Sequence, residues 1–141
     1  MADKKLKKFI PKLILYSLVA GILTGVLELL IGHRLILDPL LYGKDLGFVY
    51  EYYFAPTFYG MTKSIVVALT FFLVYIFTFN KKINLLAKSA IIGLTGTIIF
   101  GIYYYLIFPT VSYSSGLIVG VVHFLFIAGI SYLFAKLVKL K

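Results

Sequence analysis

Cysteine, tryptophan and glutamine are absent from the 141 residues, and acidic side chains number five against 14 lysines and arginines. Without cysteine there is no disulfide, no thiolate metal site and no cysteine nucleophile. The two histidines and five acids do not assemble a nucleophile with its base and orienting acid. His33, Asp38, Asp45, Glu51 and His123 share no metal-ligand spacing, and there is no Gly-rich phosphate loop or dinucleotide fingerprint. No catalytic residue, metal or other cofactor is therefore expected. The chain reads as non-enzymatic, with lipid chemistry the one enzymatic class left open. A lysine-rich composition lacking labile residues fits a thermophile, or an AT-rich genome, and points to a prokaryotic, possibly archaeal, source.

What fills the chain instead is apolar. Hydrophobic residues make up 62% and charged residues 13%, whereas soluble domains are near half apolar and about a quarter charged. A short soluble chain has too little interior to hide that much apolar surface, so lipid must serve as its solvent. The net charge of +9 does not indicate nucleic acid, because the lysines flank apolar runs and form no stripe with stacking aromatics.

A span needs about 18 or more apolar residues to cross a hydrocarbon core about 30 Å thick. Four runs qualify: Leu13–Gly32, Met61–Phe79, Leu85–Phe108 and Ser115–Val138. The first follows "KKLKKFIPK", which resembles a signal-peptide n-region, but the run is too long and no cleavage site closes it, so it reads as a retained anchor. The expected fold is all-α, a single-domain integral membrane four-helix bundle covering 1–141.

Lysine placement sets the expected orientation. Lys4, Lys5, Lys7, Lys8 and Lys12 precede span one; Lys81, Lys82 and Lys88 join spans two and three; Lys136, Lys139 and Lys141 close the chain. With four spans all of these share one side, which the positive-inside rule makes cytoplasmic, termini included. The other side has Arg34, Lys44 and Lys63, offset by Asp38, Asp45 and Glu51. Its long loop, 33–60, is rich in tyrosine and phenylalanine, and Tyr103, Tyr104 and Tyr105 border the short one. Such residues form an aromatic belt at headgroup level or a lid over a docking surface. Asp38-Pro39 and Ala55-Pro56 mark turns in the long loop.

Small residues four apart mark faces where membrane helices meet. Ser17, Gly21, Gly25 and, a heptad on, Gly32 form such a row in span one; Ser89, Gly93, Thr97 and Gly101 in span three; Gly116 and Gly120 in span four; and Ser64 with Ala68 in span two. The tripeptide "LTG" recurs at Leu23–Gly25 and Leu94–Gly96, and Ser64 aligned on Gly116 sets Ala68 on Gly120 and Phe72 on Phe124. This outlines a 2+2 parallel pseudo-repeat.

Glu28 shares the face of Gly21, Gly25 and Gly32, because steps of three, four and seven return to one side of a helix. A charge at membrane depth costs about 2.5 kcal/mol or more, so the group needs a partner or must be neutral. His123 is the other titratable group read as lying well inside a span. Glu28 lies roughly 6 Å and His123 roughly 12 Å from the outer ends of their spans. The first leans down and the second up. They meet if spans one and four are neighbours. Otherwise Glu28 pairs with Arg34 or His33, and His123 binds a backbone carbonyl or a tyrosine hydroxyl. The leading expectation is an accessory or assembly subunit, or a lipid-interacting protein, of the cell membrane; its partners are membrane lipids and other membrane chains, in a homo- or hetero-oligomer. The rival is a small homo-oligomeric transporter or channel with Glu28 and His123 lining a proton- or cation-linked path.

Overall fold

Each apolar run closes its backbone hydrogen bonds within itself, as lipid requires. The result in the computed structural model is α1 (Ala2–Leu27), α2 (Pro56–Phe77), α3 (Leu85–Ile107) and α4 (Tyr113–Leu137). The structure describes the backbone of residues 2–28, 30–31, 56–107 and 113–140, and the side chains of 5–28, 30–31, 60–102 and 117–140. Among the described residues every element is helical, and all four helices are long and apolar enough to span a membrane. The chain therefore fits a small multi-pass membrane protein.

Two helix starts differ from the sequence reading. Pro56 opens α2 instead of marking a turn inside the loop, because its missing N–H and fixed φ suit a first helical position. α1 begins at Ala2 and carries Pro11 within it, so the lysine-rich segment is a helical extension of span one. Its Phe9 ring lies 5.2 Å from Phe79, in the turn that follows α2.

The helices are packed antiparallel around a ring, α1 on α2 and α3 on α4 most closely, with α2 on α3 and α1 on α4 completing it. Register follows from the small residues. A Cβ added at Gly21 would land on the Ser64 carbonyl oxygen and lie 2.9 Å from the Ala68 Cβ; one at Gly25 would land on Ser64 Oγ and lie 2.7 Å from the Gly60 carbonyl. On the other side, Gly93 faces Ala128 and Gly96 faces Ile127. Among the described residues, nothing lies within 4 Å of a Cβ added at Gly101 or Gly120. Gly101 is exposed and sits one residue off the α3 face on which Phe100 meets His123 of α4.

The middle of the bundle is filled by Ala20, Val67, Phe71, Ile92 and Ile127, all fully buried. Phe71 stacks on Tyr75 at 4.7 Å and meets Phe134 edge-on at 6.2 Å. Several hydroxyls in the bundle are closed on their own helix, which hides their polarity from lipid. Ser17 donates to Leu13 O (2.6 Å), Thr24 to Ala20 O (2.8 Å), Thr70 to Val66 O (2.9 Å) and Thr78 to Val74 O (2.6 Å).

The turn 78–84 returns the chain into α3, whose first free amides are capped when Ala87 N donates to Asn84 Oδ1 at 2.7 Å. Asn84→Ala is expected to cost about 1 kcal/mol, read as a lower unfolding midpoint in detergent. Asn84→Asp, which keeps the acceptor, is expected to leave it unchanged.

Candidate functional site

At the end of the bundle opposite the 78–84 turn, each helix sends one side chain to a common point. α1 widens past Leu27 into a π-type turn at Glu28, Leu30 and Ile31, a geometry frequent at functional sites. Glu28 is fully buried there. Because α1 is held on α2 by Gly21 and Gly25, the next residue on that face reaches Lys63 of α2, whose Nζ donates to Glu28 Oε1 at 2.5 Å. His123 of α4 also contacts Glu28 Oε1 through Nδ1. The lysine Nζ lies 2.9 Å from that nitrogen and 3.4 Å from Nε2.

α3 supplies Phe100. Its ring centroid is 4.4 Å from Lys63 Nζ, and it meets the His123 ring edge-on at 5.2 Å. Lys63 and His123 are 3% and 4% exposed. Neither therefore uses its reach to get to water, although long cations near a helix end ordinarily do. The ring face offers the ammonium a cation–π contact and the carboxylate a full counter-charge, which together replace lost hydration. Both nitrogens converge on Oε1; Glu28 Oε2 is buried and has no hydrogen-bond partner among the described residues.

Glu28 and His123 are thus brought together, with α1 and α4 as neighbours. Lys63 corrects the sequence reading, which counted it among the outer-side charges. It lies well inside α2 because that helix starts at Pro56. A signal was available: Lys63 directly precedes Ser64, on the small-residue face of span two, and a lysine beside a contact row points inward as readily as outward. Phe100 carried no distinguishing mark among so many aromatic residues.

Gly32, His33 and Arg34 lie outside the described residues, as do the side chains of Tyr103, Tyr104 and Tyr105; Gly116 lies within α4. Ser17 and Ser89 are buried in the bundle and Thr97 partly so. Among the described residues no group of three potential metal ligands occurs.

The arrangement is a neutral-summing pair of a carboxylate and an ammonium with an imidazole beside them, shielded from water. It can pass a proton among three sites within hydrogen-bond reach, and it leaves one carboxylate oxygen for an incoming proton or cation. No protein-family model, curated protein or solved structure matches the chain.

Proposed function

We propose that this chain is a small proton-linked carrier of the cell membrane, with Glu28, Lys63 and His123 as its proton-handling site. The observation that carries this reading is the convergence, out of water, of three titratable side chains from three helices, one of them a carboxylate whose second oxygen has no partner among the described residues. Stability is a weak reason to hold such a group, since replacing buried ion pairs with apolar residues is often neutral or favourable. Intramembrane ionisable residues mark ion and proton pathways far more often than their rarity suggests. In the orientation that the lysines favour, the termini and the 78–84 turn face the cytoplasm and the triad lies toward the outside.

The test is flux in proteoliposomes with an enclosed pH dye. Wild type is expected to collapse an imposed pH gradient, and Glu28→Gln to slow that by about tenfold or more with helicity and oligomeric state retained. A wild type no faster than protein-free vesicles ends this reading.

One observation favours a second reading, that of an accessory or assembly subunit or lipid-interacting protein. All four helices expose large apolar side chains, among them Leu15, Ile65, Leu94 and Leu125, and among the described residues nothing lies within 4 Å of a Cβ at Gly101 or Gly120, small positions of the kind that let another helix approach. Native mass spectrometry of the protein from its own membrane separates the two: a stoichiometric second chain supports the subunit reading, and a lone homo-oligomer supports the carrier.

A further inference from the structure

α1, α2 and α4 each bring a titratable group to the triad; α3 brings a ring. Phe100 is 2% exposed and touches two members of the triad. The Lys63 ammonium lies 4.4 Å from its centroid, and the His123 ring meets it edge-on at 5.2 Å, with the two planes 82° apart. Other lysines also lie over rings. Exposed Lys136 is 6.0 Å from the Tyr132 centroid, and buried Lys88 is 4.9 Å from that of Tyr75. Lys63 makes the closest approach of the three, at a depth where the attraction between a cation and a ring face is strengthened by the loss of water.

Two proton arrangements compete in such a cluster. In one, Lys63 is an ammonium and Glu28 a carboxylate, 2.5 Å apart. In the other, the proton has passed along that hydrogen bond from Nζ to Oε1. The N–H bond breaks with its electron pair left on nitrogen, an O–H bond forms, and both groups become neutral. Out of water the second arrangement is the ordinary escape, because a buried charge costs far more than a buried neutral acid or amine. An aromatic face acts on one arrangement only. Its negative quadrupole attracts the ammonium and offers an amine little, so it weights the cluster toward the charged form. The edge-on contact holds the His123 imidazole against the same carboxylate oxygen, where it adds a second contact to the charged atom.

We propose that Phe100 is the positioning residue of the triad: its ring face keeps the proton on Lys63 and its edge contact keeps the imidazole on Glu28, so that the site rests as an ion pair and not as a neutral acid and amine. The inference rests on the proton-handling reading of these residues and names what holds the proton between transfers. Its test locates the proton without measuring flux, so that either reading can fail alone.

The experiment is nitrogen NMR of the full chain in lipid bilayers, with isotope-labelled lysine, which distinguishes an ammonium from an amine; coupling to labelled histidine assigns the Lys63 signal. Wild type is expected to show Lys63 as an ammonium. In Phe100→Leu the ratio of amine to ammonium is expected to rise by about thirtyfold, together with an infrared band of a protonated carboxyl that Glu28→Gln removes. A ring-fluorinated phenylalanine at position 100 keeps the shape and depletes the ring face of negative charge. It is expected to shift the ratio in the same direction, further with each added fluorine, whereas Phe100→Tyr, which keeps the face, is expected to leave it within about threefold. Because fluorination preserves the packing, it decides the matter even where Phe100→Leu fails to fold. A Lys63 signal that fluorination leaves unchanged, or a wild type in which Lys63 is already an amine, overturns the proposal.

Discussion

Lys63→Met is expected to destabilise the bundle by about 3–5 kcal/mol, and adding Glu28→Gln to recover most of that loss. The reasoning runs through what each change leaves behind. Removing the ammonium strands the fully buried Glu28 carboxylate with His123 as its one remaining partner among the described residues. An uncompensated charge is the largest electrostatic cost available to a membrane interior. Neutralising Glu28 as well removes that charge, and a methionine stem of similar length keeps contact with the Phe100 ring that now sits 4.4 Å from Nζ. Glu28→Gln alone leaves the buried Lys63 without its counter-charge, a cost limited by the amide oxygen that still accepts from Nζ. Unfolding free energies of the four proteins in bicelles close a double-mutant cycle. A double variant no more stable than Lys63→Met would show that the two groups are not energetically coupled, and would remove the basis for treating the triad as a unit.

Gly21→Ala is the second large effect, about 2–3 kcal/mol of lost stability. Its Cβ would strike a backbone carbonyl oxygen, that of Ser64, and crowd the Ala68 Cβ at 2.9 Å; neither is the free end of a flexible side chain. Relief requires α1 to move off α2, and because Glu28 lies on the continuation of that face, the separation also lengthens the reach from Glu28 to Lys63. Gly120→Ala provides the contrast. Among the described residues nothing lies within 4 Å of its added Cβ, and alanine is the better helix former, so it is expected to be neutral or to stabilise by up to about 1 kcal/mol. Denaturant titration of both variants checks the pair. Equal shifts would mean that the α1–α2 seam is looser than the glycine contacts imply.

The apolar runs made the four helices readable from the chain alone, because length against bilayer thickness is a one-dimensional property. The row Ser17, Gly21, Gly25 was also readable as one face of α1, and its continuation to Glu28 told that the carboxylate faces neighbours. What could not be read was where a helix begins when its first turns are not apolar. Pro56 and the residues after it looked like loop, and this placed Lys63 at the membrane surface instead of inside the bundle. Nor does every small residue lie on the seam: Gly93 packs on Ala128, whereas Gly101 is exposed, one residue off the face on which Phe100 meets His123. Which hydroxyls close on their own helix, as Ser17 does on Leu13 O, also had no sequence signal.

The contact between Glu28 and Lys63 also bears on how the chain is made. Each of these residues would raise the cost of releasing its helix into lipid alone, by about 2.5–3.5 kcal/mol for a fully central position. They belong to consecutive helices packed by small residues, so α1 and α2 can leave the insertion machinery as a pre-paired hairpin whose charges already satisfy one another. His123 and Phe100 arrive only with the second pair, when α3 and α4 complete the ring. On insertion into a membrane, the ion pair would favour an order of assembly in which the first two helices pair before the last two close around them.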